Sequence, residues 1–147
     1  MARSKRVIRR RVAEAPANVQ RLLLDTHVWL WWQSDDRRLG RAARNAISAA
    51  HNVYLSAASA WEISIKVSLG KLTLPRGADI EAELQRDGIE SLPILMSHAT
   101  ALAALPNIHR DPFDRMLVAQ ATMEELTLVT ADDALARYAI PLLRAAE

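Results

Sequence analysis

Short, wholly apolar runs punctuate the chain and alternate with longer segments bounded by helix start and stop signals. Arg21-Leu22-Leu23-Leu24 is one such run, closed by Asp25, and predicts a buried strand. His27 to Gln33 predicts a short helix rich in tryptophan. Asp35 and Asp36 predict the opening of a second helix that runs to about Ala50. Val53-Tyr54-Leu55-Ser56 begins with β-branched and aromatic residues and predicts a second strand. Residues 57–69 predict a helix stopped by Gly70, and residues 79–87 another stopped by Gly88. Ile89 to Leu95 predicts a third strand, and Ser97 starts a short helix that ends before Pro106. Asp111-Pro112 opens a long helix to about Glu125, because proline suits the first helical position. Leu126 to Thr130 predicts a fourth strand, Asp132 to Ala136 a helical turn, and Ile140 to Leu143 a last strand.

Strands alternate with helices, and the strands are apolar throughout instead of on one face. That pattern predicts an α/β fold of three layers, α/β/α, with a mainly parallel central sheet buried between helices. Ligands of such open sheets bind beyond the carboxyl ends of the strands.

Composition narrows the picture. The chain has 147 residues, enough for one domain with a full core, and 50% are hydrophobic against 24% charged. The absence of cysteine excludes disulfides and thiolate metal sites. No apolar run approaches the ~18 residues that span a membrane, and the N-terminus lacks a secretory stretch, so a cytoplasmic location is expected.

The net charge of +2 hides an asymmetry. Residues 1–20 hold Arg3, Lys5, Arg6, Arg9, Arg10 and Arg11 against Glu14 alone. Residues 21–147 keep 13 basic and 16 acidic residues, a net charge of −3. The expected organisation is a basic, disordered leader over residues 1–20 and a single domain over residues 21–147. Such an arm either binds phosphates or has no role.

Four acids fall at the strand ends. Asp25 follows strand one, Glu62 lies early in the helix after strand two, Asp114 lies in the first turn of the long helix, and Asp132 follows strand four. Parallel strands direct all four to one edge. Each has a structural alternative. Asp25 can cap the helix after it, Ser59-Ala60-Trp61-Glu62 has capping-box spacing, Asp111 and Asp114 suit a cap and a helix dipole, and Asp132 and Asp133 suit another cap.

The only lysines are Lys5, Lys66 and Lys71, so none stands at the end of a late strand. Gathered carboxylates without a cation repel and raise each other's pKa. A hard divalent ion, Mg²⁺ or Mn²⁺, relieves the repulsion and prefers oxygen ligands. Held by carboxylates, it suits hydrolysis of a phosphodiester. The expected main ligands are Asp25 and Asp114. Asp132 completes the set or holds a water, and Glu62 orients the attacking water or helps bind a second ion. Thr26, Arg110, Arg115 and Thr130 are expected to meet substrate, the arginines as bidentate donors to phosphate. His27 and His109 are weighed for proton transfer against a structural role.

These segments also carry a resemblance. Leu-Leu-Leu-Asp-Thr-His-Val-Trp-Leu-Trp-Trp at 22–32, Ser-Ala-Ala-Ser-Ala-Trp-Glu-Ile-Ser-Ile-Lys at 56–66, His-Arg-Asp-Pro-Phe-Asp-Arg-Met-Leu-Val-Ala-Gln-Ala at 109–121 and Leu-Val-Thr-Ala-Asp at 128–132 resemble, in order, the four motifs of the PIN-domain nucleases. The chain is similar to the VapC-type toxins of bacterial toxin–antitoxin pairs. The resemblance implies a PIN-like α/β/α fold, Mg²⁺- or Mn²⁺-dependent endoribonuclease activity, and inhibition by a cognate antitoxin. It places the family's acids on Asp25, Glu62, Asp114 and Asp132, preferring Asp114 to Asp111 and Asp132 to Asp133. The leader departs from the pattern.

A homodimer is expected as well. Trp29 and Trp32 share a helix face, Trp31 points elsewhere, and exposed tryptophans would mark a dimer or antitoxin surface, whereas buried ones are core. The alternatives are a non-toxin PIN-domain nuclease of RNA processing, or an inert module that binds RNA or a partner. A phospho-receiver domain needs a lysine at a late strand end, and a Rossmann binder needs a glycine-rich loop. With four glycines and three lysines the chain has neither.

Overall fold

The computed structural model describes residues 20–75 and 79–147. The predicted leader therefore lies outside the described residues, save Gln20.

Five strands form one sheet: β1 (Arg21–Leu24), β2 (Asn52–Ser56), β3 (Glu90–Leu92), β4 (Thr127–Thr130) and β5 (Leu142–Arg144). Their order is β3-β2-β1-β4-β5, and every neighbouring pair is parallel. The helices are α1 (Thr26–Ser34), α2 (Arg41–Ala49), α3 (Ala57–Ser68), α4 (Ile80–Asp87), α5 (Met96–Ala101) and α6 (Pro112–Met123).

The apolar runs are buried on both faces because successive side chains of a strand point opposite ways. Leu22 and Leu24 pack with Val28, Trp29 and Trp32 of α1, Ala43 and Ile47 of α2, Ile63 of α3 and Leu84 of α4. Leu23, between them in sequence, packs on the other side with Leu117, Val118 and Ala121 of α6. The expected three-layer α/β/α architecture is thus present.

Local chemistry sets the boundaries. Ser56 caps α3 by accepting the Ala58 N–H, and Asp111 caps α6 by accepting the N–H groups of Phe113 and Asp114 ahead of Pro112. Gly88 ends α4 at φ 71°, a conformation costly for other residues. The expected start of the second helix is corrected. Asp35 takes the left-handed conformation at φ 52° and ends α1, and α2 begins only at Arg41. Asp35 and the Asp36 carbonyl are gripped by Arg44, so the acid pair belongs to a turn. The third strand is shorter than expected, because Pro93 has no N–H to continue the ladder.

Candidate active site

All five strands point the same way, so β1 and β4 deliver Asp25 and Asp132 to one edge. The N-terminal half of α3 and the first turn of α6 bring Glu62 and Asp114 to it. Asp25 is buried, at 5% exposure. Its Oδ1 accepts the Thr26 N–H at 2.7 Å and its Oδ2 accepts the Thr130 hydroxyl at 2.7 Å. Burial pushes its pKa up, against the pull of these hydrogen bonds. Asp114 is pushed to about 7, by burial first and then by the negative charges of Asp25 and Asp111. Glu62 is half-buried and raises the pKa of both aspartates. It is paired with Lys66 at 3.3 Å.

Asp132 is the most outlying acid. Its Oδ1 accepts the Ala134 N–H at 2.9 Å, and its own N–H donates to the Thr130 hydroxyl at 3.0 Å. Its Oδ2 lies 2.9 Å from Nε2 of His109, which stands 3.4 Å from Oδ2 of Asp114. One ligand atom from each of His109, Asp114 and Asp132 falls within 4.8 Å of the others.

The four predicted acids therefore converge, and two structural alternatives separate from them. The α3 cap is Ser56, so Glu62 sits in the second turn of its helix and serves no capping box. Asp111 is spent on the α6 cap, which leaves Asp114 free to face the site. Asp25 and Asp132 do both jobs, each capping with Oδ1 while Oδ2 turns to a side chain.

The side chains expected to meet substrate mostly do something else. The Thr26 hydroxyl is buried and donates to Ser59 at 2.9 Å. Thr130 is buried between Asp25 and Asp132. Arg115 turns away, donating to the carbonyls of Pro106 at 3.0 Å and Leu102 at 3.1 Å. It thereby holds the irregular segment that carries His109. Arg110 is exposed beside the site. His27 is exposed and favours the charged form of Asp25.

His109 is the residue that sequence reasoning undervalued. Its Nδ1 accepts the Asp111 N–H at 3.1 Å, so the ring proton sits on Nε2, aimed at the acids. A local signal exists: a histidine two residues before a helix cap can reach the cap's own N–H.

The acids fit a divalent cation. They offer hard oxygen donors, the two innermost resist ionisation, and among the described residues the one lysine or arginine paired with the set, Lys66, is held by Glu62.

An α/β/α domain with an acidic centre at the carboxyl edge of a parallel sheet is thus defined. Residues 22–141 match the PIN domain family model, and the chain belongs to the PIN domain family. Over 121 residues it is 30% identical to Ribonuclease VapC22 of Mycobacterium tuberculosis, covering 82% of this chain and 93% of that protein. Solved structures share the fold at low identity. VapBC2 from Rickettsia felis, bound to a DNA fragment from its promoter, has a TM-score of 0.65 at 14% identity, over 84% of this chain and 97% of that one. DNA-bound VapBC from Salmonella typhimurium has a TM-score of 0.62 at 17% identity, over 86% and 98%.

Proposed function

We propose that the chain is a divalent-metal-dependent endoribonuclease and the toxin of a toxin–antitoxin pair. The observation that carries the reading is the convergence of Asp25, Glu62, Asp114 and Asp132, with Asp114 held near neutrality by burial and its acidic neighbours. The likeness to Ribonuclease VapC22 supports RNA as the substrate. Asp25, Asp114 and Asp132 would hold Mg²⁺ or Mn²⁺. When bound, the ion supplies Lewis-acid polarisation and an acidified water.

The chain's own residues do the rest. Thr130 and the Thr26 N–H fix the rotamer of Asp25, so its oxygens need no reorganisation. Glu62, half-buried and paired with Lys66, orients the attacking water and accepts its proton. Arg110 stands exposed at the rim, where a phosphate of the RNA strand passes.

A cognate antitoxin and a second copy are the proposed protein partners. Trp61 and Ile65 of α3 and Leu69 at its C-cap recur every fourth residue and are exposed at 61%, 37% and 62%. An apolar ridge of that spacing suits a partner helix. Trp29 and Trp32 are core and serve no partner. Among the described residues no helix is long and apolar enough to cross a membrane.

The test is RNA cleavage with Mg²⁺ or Mn²⁺, with EDTA, and with D25N and D114N. Cleavage is expected only with the ion and the intact acids. Full activity in EDTA, or undiminished activity in both variants, overturns the metal-nuclease reading. Growth arrest on expression, relieved by a small neighbouring reading frame, tests the toxin role.

A further inference from the structure

We propose that His109 is a positioning residue for the divalent cation: it acts as a hydrogen-bond donor that fixes the free oxygen of Asp132 beside Asp114, and not as a ligand. The inference rests on the metal-nuclease reading and deepens it.

The position of the ring proton decides donor against ligand. With the Asp111 N–H donated into Nδ1 at 3.1 Å, Nδ1 has no proton, and Nε2 carries one. A nitrogen with a proton has no lone pair for a metal. For His109 to ligate through Nε2, the proton would have to move to Nδ1, where it would face the Asp111 N–H donor head on.

Asp132 is the acid that needs a positioner. Its side chain is 38% exposed against 18% for Asp114, and it stands on a turn after β4. Oδ1 is fixed by the Ala134 N–H, whereas among the described residues His109 is the only side chain that donates to Oδ2. Asp25, by contrast, has a donor on each oxygen and is buried.

The protein holds His109 with unusual care for a residue outside any helix or strand. Its N–H donates to the Tyr138 hydroxyl at 3.0 Å. Arg115 clamps the flanking carbonyls of Leu102 and Pro106 and stands 3.4 Å from the same hydroxyl. Two elements packed on the sheet, α6 and the turn before β5, thus converge on the backbone of one ring. Partners of this kind orient metal-binding carboxylates, and losing one typically costs 10- to 100-fold in affinity.

The experiment is titration of the metal-free full chain with Mn²⁺ alone, followed by calorimetry, for the wild type, H109A, H109Q, Y138F and D114N. Melting curves report folding. H109A is expected to bind Mn²⁺ about 10- to 100-fold more weakly while melting cooperatively. H109Q, whose amide N–H extends toward the place of Nε2–H, is expected to recover part of the loss, and Y138F to show a smaller loss than H109A. Should H109A fail to melt cooperatively, H109Q and Y138F decide. Binding by H109A as tight as the wild type, or tighter, overturns the proposal. So does H109Q binding no better than H109A, which marks the ring as a ligand. If wild type and D114N bind Mn²⁺ alike, the metal-nuclease reading falls instead. Loss in D114N with retention in H109A removes only the role of His109.

Discussion

The Thr130 hydroxyl donates to Oδ2 of Asp25 at 2.7 Å, across 105 residues of sequence. The Thr130 hydroxyl oxygen itself accepts the Asp132 N–H, so one buried hydroxyl ties the ends of β1 and β4 into a single acidic unit. Replacing it by valine keeps the shape and the β-propensity but leaves an oxygen of a buried carboxylate without its donor. T130V is expected to lose about 1–3 kcal/mol of stability and 10- to 100-fold of RNA cleavage. T130S, which keeps the hydroxyl, should retain most of both. Melting temperature and kcat/KM measured together check the pair. A fully active T130V would show that Asp25 needs no such support.

The raised pKa of Asp114 gives stability a pH dependence whose sign is fixed. Folded, the group titrates at about 7, and its ordinary value is 3.8. Between these values the folded chain binds more protons than the unfolded chain, so stability falls as pH rises. The metal-free protein should therefore lose melting temperature from about pH 4 to pH 7. D114N should flatten that slope in part, because Asp25 is raised in the same direction. Mg²⁺ or Mn²⁺ should stabilise progressively more across the same window, since the ion competes with the proton. A wild-type slope no steeper than that of D114N would refute the assignment.

The acids were legible in sequence because their placement follows from a rule with few exceptions. Apolar strands that feed helices run parallel, and parallel strands end at one edge. Asp25 and Asp132 follow directly from that rule. Asp114 against Asp111 needed the family resemblance, and the cap geometry of α6 now supplies the physical reason. The start of α2 is not legible in sequence, because two adjacent aspartates look alike whether they open a helix or end one. The backbone at Asp35 and the reach of Arg44 decide it, and neither is visible locally. Arg115 and His109 were illegible in role because both depend on how residues 102–109 fold back over Tyr138.

Arg115 is a direct test of that last point. A phosphate contact and a loop clamp make different predictions. Because its guanidinium is spent on the carbonyls of Leu102 and Pro106, R115M should lower the melting temperature by an amount equivalent to about 1–3 kcal/mol. It should also weaken Mn²⁺ binding through His109. An arginine that met RNA instead would raise KM and leave both the melting temperature and Mn²⁺ binding unchanged.

Lys66 is paired with the acidic cluster through Glu62, one turn away on the same helix at 3.3 Å, and the pair is lopsided. The lysine side chain is 39% exposed and the glutamate 12%. Removing the charge while keeping the stem, as in K66M, therefore affects the buried partner more than the surface one. Without metal, the uncompensated Glu62 adds to the repulsion already felt by Asp25 and Asp114, and stability should fall by up to about 1 kcal/mol. With metal, the same change removes a competitor for the negative field, and Mn²⁺ should bind a few-fold more tightly. The two effects have opposite sign, which no general loosening of the fold reproduces. Calorimetric titration and thermal melting of K66M, with and without Mn²⁺, separate them. A lysine that served the RNA strand instead would leave Mn²⁺ affinity unchanged and raise only KM.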